Sequence, residues 1–136
     1  MNQVQMSNEE KIQYLQKRHQ FNEVTARSYV EANGQCVYCG GDVFSHWQSY
    51  SSAQMDHILP RSKYPDFFEH PRNYVLSCYF CNSTKKTWDS LESGEDPLDM
   101  LCNKREELIA RIAKKIAGAV EKRKQDFADI KSLFRV

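Results

Sequence analysis

Gln54-Met55-Asp56-His57-Ile58-Leu59-Pro60-Arg61-Ser62 decides the fold when read with Cys78-Tyr79-Phe80-Cys81-Asn82-Ser83-Thr84-Lys85. A Cys-x-x-Cys at Cys36 and Cys39 precedes the first stretch, and a second, at Cys78 and Cys81, opens the other. Two thiolates two residues apart reach one ion only if the backbone turns tightly, and Gly40-Gly41 after the first pair makes that turn easy. Four cysteines in two identical pairs are a structural zinc set: soft, tetrahedral and closed to water. A redox Cys-x-x-Cys would explain one pair but not two. His46 lies nearby, yet four cysteines already fill a tetrahedron.

Working outward, Gln54 to Leu59 reads as a short strand stopped by Pro60, which has no amide hydrogen for a ladder. Residues 60–72 form a loop rich in Pro, Arg, Lys and aromatics, and 73–77 form a second strand. The second knuckle follows, with a helix expected from about Asn82 to Ser90. Strand, loop, strand and helix, pinned at both ends by thiolates, make a ββα unit. Asp56 and His57 are adjacent, so on a regular strand their side chains leave opposite faces. A twist or strand end is needed for both to serve one ligand.

On the N-terminal side, residues 1–6 read as frayed. Ser7-Asn8-Glu9-Glu10 is a capping box opening a helix with Ile12, Leu15 and His19 on one side. Further helix is expected over 23–32, ended by Asn33-Gly34. Residues 42–53 read as polar loop with room for a short hairpin. On the C-terminal side, 92–97 is a linker. A long helical pattern then runs from Leu98 through Leu101, Leu108, Ile112, Ile116 and Val120 to Phe127, Ile130 and Phe134, a single apolar stripe. Its back is basic, and the reading adopted is a core-facing stripe with a solvated basic side. Gly118 marks a close contact or a bend. Cys102 reads as a small buried apolar residue, and Trp88 as core.

At 136 residues with 40% hydrophobic residues, the chain suits one domain with a modest core that a metal would help. The domain is expected to span 1–136, with a helical segment over 7–33, the core over 34–90 and a helical segment over 98–134. A net charge of +1 gives no general attraction to polyanions, so any such affinity comes from local clusters. The start has no apolar core and no run is long enough to span a bilayer. Reduced, metal-binding thiols fit a cytoplasmic setting.

Together these residues resemble the HNH nucleases, also called ββα-metal or His-Me finger nucleases. The resemblance rests on Cys36-Val37-Tyr38-Cys39-Gly40, Asp56-His57-Ile58-Leu59-Pro60, Asn73 and Leu76 to Lys85, and covers roughly residues 24–90. It implies an α+β fold: a zinc-pinned ββα-metal core flanked by N-terminal and long C-terminal helices. It implies a metal-dependent endonuclease, with DNA the favoured substrate, leaving 5′-phosphate and 3′-hydroxyl ends. His57 would be the general base, and an imidazole pKa near ~6.5 suits that task. Asp56 and Asn82 would hold one Mg²⁺ or Mn²⁺ through hard oxygens. Asn73 would tie the loop ends so that His57 is aimed. Arg61, Lys63, Arg72, Lys85 and Lys86 would grip phosphate, Lys85 foremost. The family's third position, often His, is here Asn82. The loop from Cys39 to Asp56 is long, and Tyr64-Pro65 stands where many members have glycines. Small members of such families serve phage, mobile elements or bacterial defence.

Two rival readings stay open on the residues alone. One is a zinc-knuckle module that binds nucleic acid or protein without cutting, for which Asp56, His57 and Asn82 would have no use. The other is a nuclease subunit silent until a partner docks on the C-terminal stripe, which is also a candidate surface for a homodimer.

Overall fold

Ser7 and Glu10 bond reciprocally: the Glu10 amide donates to Ser7 Oγ and the Ser7 amide to Glu10 Oε1, both at 3.1 Å. That box opens α1 (Asn8–His19) in the computed structural model, which describes residues 5–135. The expected frayed start therefore lies largely outside the described residues. Asn22 caps α2 (Glu23–Glu31) by accepting from the Thr25 amide at 2.8 Å. Ile12 of α1 and Ala26 and Ser28 of α2 are buried. Asn33 and Gly34 both take left-handed φ, 50° and 69°, and end the helix. At Gly34 no side chain fits, because a Cβ there would lie 2.1 Å from the Phe44 ring.

Where a loop or hairpin was expected over 42–53, the chain instead forms a short helix, α3 (Trp47–Ser52). His46 caps it, its Nδ1 accepting from the Gln48 amide at 3.3 Å. Ser51 and Ser52 hydroxyls turn back onto the carbonyls of Trp47 and Ser49. Serine propensity alone argues against a helix here, and the His46 cap at its start is the local bond that favours it.

Strands β1 (Gln54–His57) and β2 (Tyr74–Ser77) pair antiparallel, with Asp56 opposite Val75 and His57 opposite Tyr74. Between them, 3₁₀ turns at Pro65–Phe67 and Pro71–Asn73 shape the loop. The helix after β2, α4 (Tyr79–Lys85), begins inside the second knuckle and not at Asn82. Cys78 is its cap, its sulfur accepting from the Cys81 amide at 3.4 Å. It stops well short of Ser90 because Lys86 turns to φ 53°.

The C-terminal pattern is two helices. Asp96 caps α5 (Pro97–Asn103), and Lys104, at φ −135°, breaks it from α6 (Arg105–Phe134). At 30 residues α6 is about 45 Å long. Its first half supplies Leu108, Ile109, Ile112 and Ile116 to a core shared with Ile58, Leu59, Val75, Cys81, Met100 and Leu101, with Trp88 packed at its edge. Its far end, with Phe127, Ile130, Leu133 and Phe134, is exposed. Gly118 makes no close contact and the helix runs on through it, against both expectations. Cys102 is exposed, not buried, because α5 turns Leu101 inward instead.

Candidate zinc knuckles and active site

The four sulfurs of Cys36, Cys39, Cys78 and Cys81 converge within 4.8 Å of one another. The first knuckle closes through the Gly40 amide onto the Cys36 carbonyl and the Cys36 amide onto the Gly41 carbonyl, both at 2.8 Å. Gly40, at φ 76°, permits the turn. The Gly41 amide points at Cys39 Sγ at 3.4 Å, and the Val37 amide bonds the Leu76 carbonyl, sewing the knuckle to β2. Contacts with Cys39, Cys78 and Cys81 drive the Cys36 thiol far down, while those with Cys36 and Cys39 push Cys81 up. Four sulfurs this close cannot all ionise without a cation among them. The donor set is that of a structural Zn²⁺ site, which would hold all four as thiolates.

Asn73 is fully buried and closes the loop between the strands. Its Oδ1 accepts from the Leu59 amide at 2.7 Å, and its Nδ2 donates to the Leu59 carbonyl at 3.2 Å and the Phe68 carbonyl at 3.5 Å. Phe68 is thereby set against His57, the two rings stacking at 4.0 Å and 18°. Tyr74, the cross-strand neighbour, flanks the imidazole at 4.5 Å. Held between these rings, His57 Nε2 is buried with no hydrogen-bond partner. Burial lowers the imidazole pKa; the Asp56 charge opposes this and the Lys85 charge adds to it. The ring is therefore neutral near pH 7, with a lone pair available to accept a proton.

Asp56 leaves the opposite face of β1, as strand alternation requires, and is buried. Tyr38, from inside the first knuckle, donates to its Oδ2 at 2.6 Å. Burial, then the neighbouring carboxylate, hold the Tyr38 phenol well above its ordinary pKa, so it stays a donor. The Lys85 ammonium straddles the same carboxylate, 3.3 Å from Oδ2 and 3.5 Å from Oδ1. Its shortest bond, 2.5 Å, is to the backbone carbonyl of His57.

This corrects the expectation for Lys85. It is 3% exposed and serves Asp56 and the His57 backbone, so it does not present a charge to an outside phosphate. Arg72 is also occupied, its Nε donating to the Leu101 carbonyl at 3.4 Å. Arg61, Lys63 and Lys86 are exposed, and the Arg61 guanidinium lies over the outer face of Phe68 at 5.1 Å. Asn82 sits half-buried on α4, and among the described residues its side-chain amide has no hydrogen-bond partner.

Three residues here were missed in the sequence: Tyr38, Phe68 and Arg105. The last is a buried clamp from α6, donating to the carbonyls of Arg72 at 2.9 Å and Tyr74 at 2.8 Å. The Tyr between two cysteines and the aromatic run in the loop were visible signals; nothing marked Arg105 among its basic neighbours.

A two-stranded sheet joined by an Asn-closed loop and followed by a cysteine-capped helix defines the class. Residues 36–87 match the family model for the HNH endonuclease and carry that domain, in an α+β fold with flanking helices. Septu protein PtuB of Bacillus thuringiensis is similar to this chain, 31% identical over 75 residues. The match covers 51% of this chain but 28% of that protein, so the chain spans under a third of its relative's length. No solved structure matches the chain.

Proposed function

We propose that this chain is a metal-dependent endonuclease that hydrolyses phosphodiester bonds in nucleic acid, with DNA the favoured substrate. The observation that carries this reading is His57: a neutral imidazole with a buried, unpartnered Nε2, aimed by an Asn73-locked loop. A buried ring nitrogen without a partner is costly, and because Nε2 is closed to solvent, the half-buried ring must shift for a water or substrate group to satisfy it. His57 accepts the proton of the attacking water, and Phe68 and Tyr74 hold the ring against rotation as it does so. Arg61, Lys63 and Lys86 position the polyanion through its phosphates.

Asp56 and Asn82 would hold the catalytic Mg²⁺ or Mn²⁺. The chemistry of the pair fits a hard cation, since Asp56 Oδ1 and the Asn82 amide oxygen are hard donors not fully used by neighbours. When bound, such an ion stabilises charge on the phosphate and on the leaving 3′ oxygen. The products would carry 5′-phosphate and 3′-hydroxyl ends.

The exposed far end of α6 favours one addition. Phe127, Ile130, Leu133 and Phe134 are 55–81% exposed, on a helix whose first half buries Leu108, Ile109, Ile112 and Ile116. We read this end as an association surface for a protein partner or a second copy, and we take the setting to be cytoplasmic, where thiols stay reduced for a metal. No helix among the described residues is long and apolar enough to cross a membrane. The test of the reading is cleavage of supercoiled plasmid with Mg²⁺ or Mn²⁺. Nicking that EDTA stops and His57→Ala removes supports it; nicking unchanged in the mutant excludes His57 as the base.

A further inference from the structure

We propose that Lys85 is an internal counter-cation of Asp56, positioned so that a divalent ion must share the carboxylate with it. Lys85 thus sets how weakly the chain holds that ion. The inference rests on the reading of Asp56 as an ion ligand and goes beyond it.

Asp56 carries one negative charge, and the structure already neutralises it with the ammonium 3.3 Å from Oδ2 and 3.5 Å from Oδ1. Both side chains are buried, at 1% and 7% exposure, so water screens the pair little. Tyr38 occupies Oδ2 from the other side at 2.6 Å, so Oδ1 is the oxygen with an acceptor position left to offer. An ion arriving there meets a cation held in place, since Lys85 is also bonded to the His57 carbonyl. Lysine brings no ligand atom of its own, because an ammonium only donates. Its effect on a second cation is repulsive, while its effect on the free protein is to stabilise a carboxylate that would otherwise be buried without a counter-charge. One side chain thus holds the Asp56-His57 strand end in place and keeps ion binding weak and reversible.

The test uses the full zinc-loaded chain, with Mn²⁺ binding followed by electron paramagnetic resonance and thermal unfolding followed in EDTA and in Mn²⁺. Lys85→Met is expected to melt lower than wild type in EDTA, to bind Mn²⁺ on the order of tenfold more tightly, and to gain more stability from Mn²⁺ than wild type does. Lys85→Gln, which keeps a donor for the His57 carbonyl without the charge, is expected to tighten binding likewise. Lys85→Arg is expected to leave affinity near the wild-type value. Equal or weaker Mn²⁺ binding by both neutral variants overturns the proposal, as does a gain that persists when Asp56→Asn is added. Failure of both neutral variants to fold even in Mn²⁺ also overturns it, since the ion then cannot replace the ammonium. Separately, wild-type Mn²⁺ binding that survives Asp56→Asn removes the reading of Asp56 as a ligand, whatever Lys85 does.

Discussion

His57 owes its state to its neighbours more than to its own chemistry. Burial between Phe68 and Tyr74 lowers its pKa below the ordinary 6.5, and the sign of the consequence is definite. The unfolded chain takes up the proton at higher pH than the folded one. The stability that the neutral ring contributes is therefore complete above 6.5 and is lost as pH falls from there through the folded pKa. The same shift keeps the ring unprotonated into mildly acidic solution. A plot of kcat/KM against pH is expected to show its acid limb below 6.5, and an inflection at or above 6.5 would contradict this environment for the base. At this scale the sequence was read well for the four cysteines, whose identical spacing brings their sulfurs together. It was misread at Lys85. Whether a helical lysine meets solvent or a carboxylate depends on Asp56, 29 residues earlier, and no local spacing reports that distance.

Among the elements, the knuckles matter most, because β1, β2 and α4 are too short to be stable alone. Tying Cys36 and Cys39 to Cys78 and Cys81 cross-links the small core that the strands share with α5 and α6. Protein purified without chelator is expected to carry about one zinc per chain, and Cys81→Ser is expected to lose both the metal and the cooperative unfolding transition. Substoichiometric zinc with a disulfide by mass spectrometry would contradict the assignment. The helices offer a subtler check at Gly118. The helix is unbroken there and a Cβ would meet nothing within 4 Å. Gly118→Ala is therefore expected to raise stability by roughly 0.5–1 kcal/mol in urea unfolding; a loss would mean that the glycine has a packing role after all. Element types were legible wherever periodicity or caps were strong, as in α1, α2 and α6. The serine-rich α3, the early start of α4 and the break at Lys104 were not, because each is decided by a few hydrogen bonds or one backbone angle.

At the scale of the whole molecule, three layers of constraint meet on one strand end. The first knuckle reaches Asp56 through Tyr38, α4 reaches Asp56 and the His57 carbonyl through Lys85, and α6 holds the Arg72 and Tyr74 carbonyls through Arg105. The net charge of +1 gives this assembly little long-range pull on a polyanion. On the proposed reading, attraction for a polyanion would come from the exposed Arg61, Lys63 and Lys86. If the site cuts with His57 as its base, one comparison decides it. The most direct measurement is cleavage of supercoiled plasmid in Mg²⁺ or Mn²⁺ by wild type and His57→Ala, with zinc content, circular dichroism and DNA binding recorded on the same samples. The mutant is expected to keep fold, zinc and binding but to lose at least about a hundredfold in rate. A folded, zinc-loaded His57→Ala protein that cuts at the wild-type rate would contradict it.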